Sequence, residues 1–298
     1  MSRKILLTGA SGFVGRHMAS ALLNRGDHVV ALDHTGGSDL VPGIESLKMD
    51  LLDPASMADL PREWGGVIHL AGASVPSLFS TMAPVLFNLE ITLNLLEHLR
   101  EGKVLLVSSC HVYGPASHRR KEDSPIVPQG RYGLSKHLVE QVTPHYQGRL
   151  DIRVARPFNH LGKGLRPELM VPSLLRRLSA SSPEDCSPIQ MAGMNSVRDF
   201  IDVRDVVSAY MAILDLDSPG KRTFNVCTGR ATSVEEVVKT VLEIQGVERD
   251  VKFQGNPNST DDIPSLVGDP SRLTEATGWT ARHTLRESLI TMMQSIPS

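Results

Sequence analysis

Tyr132 and Lys136, in the stretch Tyr132-Gly-Leu-Ser-Lys136, lie four residues apart and share one face of a helix. A free phenol ionises at about pH 10, too high to serve as a base at neutral pH. An ammonium within a few ångströms stabilises the phenolate and lowers that value, and such a pair can pass a proton to or from an alcohol or carbonyl oxygen. The spacing alone occurs on many surface helices, so its weight comes from a second pattern upstream. Gly9-Ala-Ser-Gly12-Phe-Val-Gly15 follows directly on the apolar run Lys4 to Thr8. Gly9 suits a tight turn, Gly12 the approach of backbone N–H groups to a pyrophosphate at a helix N-terminus, and Gly15 close packing of helix on strand. On this reading Gly9, Ser11, Gly12, Phe13, Val14 and Gly15 hold a dinucleotide; the alternative is a tight turn with no ligand. Asp33, after a second apolar run from His28 to Leu32, can accept hydrogen bonds from the adenosine ribose, and its charge repels a 2′-phosphate. The expected cofactor is NAD or NADP, with NAD slightly favoured.

These residues need a scaffold, and the pattern of the chain describes one. The glycines sit between a strand and a helix that carries Val14, Met18, Ala21 and Leu22 at helical spacing and ends at Gly26-Asp27. Ser46 to Met49 reads as a third strand ending at Asp50, which either meets the adenine edge, with Leu51 beside it, or is a solvated acid. Val67 to Leu70 reads as a fourth, and Ala71-Gly72-Ala73 is small enough for a cofactor to lie against, which adds Leu70, Ala71 and Gly72 to the cofactor set. A helix from Pro84 to Arg100 includes Asn88, either an anchor for the active-site helix or a structural residue. A fifth strand, Lys103 to Val107, opens into Ser108-Ser109-Cys110-His111-Val112-Tyr113-Gly114. The Tyr132 helix reaches about Tyr146, and Asp151 to Ala155 is a sixth strand. Such alternation implies an α/β, Rossmann-type doubly wound parallel sheet with active groups at the carboxyl ends of its strands.

From Arg156 onward the pattern becomes irregular. A helix is expected from Val171 to Ser179, a loop at Ser181-Ser182-Pro183, and a strand from Val197 to Ile201. Asp202 should cap a helix carrying Val206, Val207, Tyr210 and Ile213, and Thr223 to Val226 is another strand. Ser233 with Glu236, and Thr284 with Glu287, have the spacing of capping boxes. Asp250 to Gln254 reads as a strand and Asn256 to Asp262 as a polar loop. The expected division is 1–156 plus 199–228 as an NAD(P)-binding Rossmann domain, and 157–198 plus 229–298 as a smaller C-terminal α/β substrate lobe. Trp64 and Trp279 read as packing residues.

Composition excludes several classes. A formal net charge of -2 over 298 residues provides no basic field for nucleic acid or an anionic membrane. No apolar run approaches the ~20 residues of a membrane span, and the brief apolar start does not read as a signal peptide. Cys110, Cys186 and Cys227 have no metal-ligand spacing, so no metal is expected, and they suit free thiols in a reducing cytoplasm.

Taken together, Gly9-x-x-Gly12-x-x-Gly15, Ser109 and Tyr132-x-x-x-Lys136 resemble the extended short-chain dehydrogenase/reductases, over nearly the whole chain. The resemblance implies an NAD(P)-dependent enzyme acting on a nucleotide-activated sugar, working as a homodimer. It places the catalytic serine four residues before Tyr113, at Ser109. It implies that Tyr132 protonates the sugar C4 oxygen, that Lys136 lowers the tyrosine pKa and holds the nicotinamide ribose, and that Ser109 orients the same oxygen. Asn159 would contact the diphosphate or sugar, and Arg198 the phosphates, unless Arg198-Asp199 is a structural ion pair. Within the family, Val154-Ala-Arg-Pro-Phe-Asn-His-Leu-Gly162, Val197-Arg-Asp-Phe-Ile-Asp-Val-Arg-Asp-Val206 and Phe224-Asn-Val-Cys-Thr-Gly229 are most similar to GDP-4-keto-6-deoxy-D-mannose reductases, which form GDP-D-rhamnose; the C4 epimer would be GDP-6-deoxy-D-talose. Sugar 4,6-dehydratases carry Asp-Glu after the catalytic residue, where this chain has Cys110-His111, so elimination lacks its acid and base. His111 either touches the sugar, is a loop polar group, or replaces one of those acids. The competing readings are a 4-epimerase that retains NAD, and a non-catalytic redox sensor, which has no need of Ser109, Tyr132 and Lys136.

Overall fold

Near-continuous apolar runs along short strands, with successive side chains pointing to opposite faces, build two cores at once, one on each face of a sheet. In the computed structural model, which describes residues 2–33, 40–115, 117–180, 187–192, 196–217, 220–254 and 265–294, five early strands do this, β1 (Lys4–Thr8), β2 (His28–Asp33), β4 (Gly66–His69), β5 (Gly102–Val107) and β6 (Leu150–Pro157), while β3 (Glu45–Lys48) is an exposed edge strand. Ile5, Leu7, Val29, Ala31, Ile68 and Leu105 point to one face. Leu6, Val30, Leu32, Val67, Val104 and Leu106 point to the other. With the strand Thr223–Val226 they form a parallel sheet in the order Thr223–Val226, β6, β5, β4, β1, β2, β3. The order reverses between β1 and β4, so a crevice opens beyond the ends of those two strands, where ligands of doubly wound sheets bind.

Helices cover both faces. On the Ile5 face lie α1 (Phe13–Asn24), contributing Met18 and Leu22, and a helix at Val203–Asp215, contributing Val206, Tyr210 and Ile213. On the Leu6 face lie α2 (Ala83–His98), with Ile91, Leu95 and Leu96, and α3 (Gly130–Val142), with Val139. Trp64 is buried in the core of the Leu6 face, while Leu273 and Trp279 complete the core of the Ile5 face beside the Val203–Asp215 helix, where Trp279 Nε1 donates to Ser208 Oγ at 2.9 Å. The Rossmann-type α/β sheet expected from the sequence is therefore present.

A third core joins Leu161, Val171, Leu174 and Leu175 to Val237, Val238, Val241, Leu289 and Met292. Its helices are Met170–Ala180, Val234–Gln245 and Leu285–Met293. Thr284 and Glu287 make both bonds of a capping box, and Ser233 accepts the Glu236 N–H at 3.0 Å. Asp202 caps its helix by accepting from Arg204 N at 2.8 Å.

The single strand expected from Val197 to Ile201 is two. Val197–Arg198 pairs with Thr232–Ser233 and Ser265–Leu266, whereas Phe200–Asp202 pairs with Asn159–Leu161. The break is Asp199. Its fully buried carboxylate accepts from Thr228 N (2.9 Å), Thr228 Oγ1 (2.7 Å) and Gly229 N (2.8 Å), which fixes the chain where it changes partners. The loops expected at 181–183 and 256–262 lie outside the described residues. Among the described residues no helix is long and apolar enough to cross a membrane.

Candidate active site

The glycine loop forms a cradle at the crevice between β1 and β4. Gly9 has φ +71, and a Cβ there would lie 2.7 Å from Ala71 N and 2.8 Å from the Leu70 carbonyl carbon. A Cβ on Gly15 would collide with the Gly9 carbonyl oxygen. Gly12 caps α1 without a side-chain bond, and its own N–H returns to Gly9 O at 3.0 Å. The first-turn N–H groups of Phe13, Val14 and Gly15 thus have no partner within the helix, and they carry the positive end of its dipole. This is a built anion cradle, and it fits a dinucleotide diphosphate. Ser11 contributes a carbonyl that accepts from Arg16 Nε at 2.8 Å. The Phe13 side chain turns away to stack on His160, ring centres 5.6 Å apart, which ties the 158–163 segment to the start of α1.

Asp33 ends β2 and is buried. Asp50 is exposed, and one of its oxygens accepts the Leu52 N–H at 2.9 Å, so at least half of its carboxylate serves a turn. Leu51 is core. Leu70 and Ala71 are held to β1, Leu70 N on Thr8 O (3.2 Å) and Ala71 N on Thr8 Oγ1 (3.1 Å). Gly72 presses on Asn88, whose Oδ1 would lie 2.9 Å from an added Cβ.

Asn88 is buried and links two parts of the site. It accepts from Ala73 N (2.7 Å), donates to Ala73 O (3.0 Å) and donates to Ser135 Oγ on α3 (2.7 Å). It anchors the active-site helix to the loop after β4. Beside it His69 lies between Thr8 Oγ1 (2.8 Å from Nδ1) and Thr92 Oγ1 (3.1 Å from Nε2). Thr92 donates to Asn88 O at 2.7 Å, so it accepts from His69, whose proton therefore sits on Nε2. Burial, helped by the Lys136 charge, pushes the His69 pKa down to about 3 and keeps the ring neutral.

Ser109, His111, Tyr132 and Lys136 converge beyond the end of β5. Ser109 Oγ accepts the His111 N–H at 3.2 Å and lies close enough to Tyr132 to act on its phenol. The Tyr132 ring lies edge-on to His111 and to Phe79, centres 5.4 Å apart in each case. Lys136 donates to Val107 O at 3.0 Å. The expected depression of the phenol pKa is not seen. Burial pushes Tyr132 up to about 12, opposed by the bond from Ser109, so the residue carries its proton at neutral pH. Burial likewise draws Lys136 down to about 8, opposed by the charge of Glu140. Such a phenol is poised as a donor rather than as a base.

Arg198 lies close enough to Cys110 for its charge to act on the thiol, and it donates to Val197 O at 3.0 Å. Cys110 is buried, and that burial holds its pKa at about 12, so the thiol supplies neither an acid nor a base. Cys227 is also a buried free thiol; Cys186 lies outside the described residues. Asn159 pairs its backbone N–H with Asp199 O (3.1 Å), while its buried Oδ1 has no partner within the protein, as suits a ligand contact.

Three residues escaped the sequence reading. Glu140, one turn beyond Lys136, meets Arg156 through two bonds of 2.8 and 2.6 Å, and Arg156 also donates to the Tyr113 hydroxyl at 2.7 Å. The i, i+4 step from Lys136 to Glu140 was visible in the sequence; that Arg156 would reach it from β6 was not.

Comparison with known proteins places this geometry among relatives. The sequence description Epimerase, NAD dependent epimerase/dehydratase family, matches residues 5–227. The chain is 32% identical to GDP-6-deoxy-D-mannose reductase of Pseudomonas aeruginosa, covering 97% of this chain and 95% of that one. It is 30% identical to UDP-arabinose 4-epimerase 1 of Arabidopsis thaliana, covering 96% and 78%. The solved structure of RMD from Pseudomonas aeruginosa complexed with NADPH superposes with a TM-score of 0.83 at 29% identity, covering 99% of this chain and 98% of that one.

Proposed function

The chain belongs to the NAD dependent epimerase/dehydratase family, and from that premise we propose that it reduces the C4 keto group of a nucleotide-activated 4-keto-6-deoxy sugar. In coarser terms it is an NAD(P)-dependent short-chain dehydrogenase/reductase that modifies nucleotide sugars. The proposed substrate is GDP-4-keto-6-deoxy-D-mannose, and the product GDP-D-rhamnose or its C4 epimer GDP-6-deoxy-D-talose. The observation that carries the reading is the grouping of Ser109, Tyr132 and Lys136 beyond the end of β5, beside a Cys110-His111 pair that lacks the carboxylates of an eliminating enzyme.

The cradle, Asp33 and the Leu70–Gly72 segment would hold a nicotinamide dinucleotide, which would supply the hydride when bound. The protein's own work is to hold and deliver a proton. Tyr132 gives its proton to the C4 oxygen, whose developing charge Ser109 steadies with a hydrogen bond. Lys136 stabilises the phenolate left behind and holds the nicotinamide ribose. His111, packed on Tyr132, faces the sugar; Asn159 and Arg198 take the diphosphate, for which a guanidinium fork suits the geometry.

Supplying GDP-4-keto-6-deoxy-D-mannose should oxidise reduced cofactor in a one-to-one ratio. Interconversion of a 4-hydroxy sugar with no net cofactor turnover establishes the epimerase instead, a reading that the likeness to UDP-arabinose 4-epimerase 1 favours. A cytoplasmic homodimer belongs to the same proposal. Leu78, Met82, Leu86 and Phe87 are exposed along the start of α2 and the segment before it, a face that a second copy would cover. Leu86→Glu should then yield a monomer in sedimentation; a wild-type monomer refutes the pairing.

A further inference from the structure

Glu140 stands one turn beyond Lys136 on α3, as Tyr132 stands one turn before it. Both of its carboxylate oxygens are taken by a single guanidinium, Arg156 Nε on Oε1 at 2.8 Å and Nη2 on Oε2 at 2.6 Å. Arg156 projects from near the end of β6 and is only 5% exposed. Its Nη1 donates to the Tyr113 hydroxyl (2.7 Å) and to Glu122 O (3.0 Å), and its plane lies 4.9 Å over the Tyr113 ring. The Tyr113 hydroxyl passes the chain on to Asn225 Oδ1 at 2.8 Å, on the neighbouring strand. Tyr113 is four residues from Ser109. One guanidinium therefore joins the helix that carries Tyr132 and Lys136 to the loop that carries Ser109.

A buried ion pair adds little net stability, because desolvation offsets the attraction, and its best attested use is to fix one arrangement. We propose that Glu140 and Arg156 are positioning residues: their two-bond pair sets Tyr132 and Lys136 in register with Ser109, and the Glu140 carboxylate keeps Lys136 in its ammonium form. The inference rests on the reading of Ser109, Tyr132 and Lys136 as the proton-transfer group. The titratable groups about Lys136 are Tyr132 and Glu140 on its own helix and His69 at the end of β4; those about Glu140 are Arg156 from β6 and Tyr113 from the loop. Neutral His69 adds no opposing charge, and Arg156 takes up part of the Glu140 field. What remains of that field still opposes the burial that draws Lys136 down to about 8.

The test compares pH profiles of Glu140→Gln and Glu140→Asp in the full chain. In the wild type, kcat/KM for ketosugar reduction should fall as pH rises and Lys136 loses its proton. In Glu140→Gln that limb should move to lower pH by roughly one unit. Glu140→Asp keeps the charge on a shorter arm, so the limb should stay in place while turnover drops about tenfold or more through misplacement. A purely structural pair lowers rate or stability in both variants without moving the limb, and that result overturns the proposal. A second readout needs no substrate: modification of Lys136 by trinitrobenzenesulfonate, mapped by peptide across pH, reports the free amine. Coincident wild-type and Glu140→Gln curves overturn the proposal; a shifted curve with no ketosugar turnover supports it and counts against the proposed reaction instead. Should Glu140→Gln fail to fold, Arg156→Lys serves, since a lysine offers one point donor in place of the planar fork. Its limb should stay put and its turnover fall; wild-type turnover overturns the positioning role.

Discussion

Replacing Tyr132 by phenylalanine removes one hydroxyl and nothing else that the fold uses. The ring keeps its edge contacts with His111 and Phe79 at 5.4 Å, and Ser109 keeps the His111 N–H at 3.2 Å. The phenol, pushed up to about 12 by burial, carries its proton at pH 7. Without it the oxygen at C4 must gather charge beside a serine that can orient it but not neutralise it. General acid catalysis contributes about 10²–10⁴-fold, which is about 3–5 kcal/mol at 1.36 kcal/mol per decade. Single-turnover oxidation of reduced cofactor should slow by that range in Tyr132→Phe, with cofactor affinity nearly unchanged. A deuterated nicotinamide verifies that chemistry limits the measured rate. Lys136→Met should behave differently, weakening cofactor binding as well as turnover. Retention of more than about a tenth of the wild-type rate in Tyr132→Phe would refute the reasoning, and His111, packed against the same ring, becomes the next donor to test.

Asp33 should make NAD(H) bind at least as tightly as NADP(H), and Asp33→Ser should shift the preference toward NADP(H) by about tenfold, or 1.4 kcal/mol; titration of both cofactors decides, and a wild-type preference for NADP(H) of that size removes the assigned role. Asn88→Ala strips partners from Ala73 and Ser135, and at about 1–3 kcal/mol for a buried polar group left unsatisfied the melting temperature should fall by several degrees, with turnover reduced; an unchanged melting curve means the anchor is dispensable. His69 binds its proton only near pH 3 when folded, against 6.5 for the free side chain. Between those values the unfolded chain holds more protons, so stability should fall as pH falls, by up to about 1.4 kcal/mol per unit; denaturant titrations of wild type and His69→Gln should show a shallower slope in the variant, and equal slopes refute the buried neutral histidine.

The sequence alone determined the sheet and the cradle, because both rest on local signals. A short apolar run followed by Gly9, Gly12 and Gly15 specifies strand, turn and helix from neighbouring residues, and the structure adds that Gly9 has no room for a side chain against Ala71, nor Gly15 against the Gly9 carbonyl. The tyrosine–lysine pair was equally legible, since four residues of helix put both on one face. Two expectations required distant parts of the chain and went astray. The strand from Val197 to Ile201 breaks because Asp199 finds donors at Thr228 and Gly229, which no local pattern announces. The phenol of Tyr132 rises instead of falling because burial, set by everything packed around it, outweighs its polar contacts. The same holds for the Glu140–Arg156–Tyr113 junction and for the His69 tautomer. Each member is an ordinary residue on its own element, and only the packing of distant elements at the carboxyl edge of the sheet joins Glu140, Arg156 and Tyr113 in one hydrogen-bonded unit and His69 with Thr8 and Thr92 in another. Spacing along a chain fixes which side chains share a face; burial and partners, and hence protonation, are properties of the packed whole.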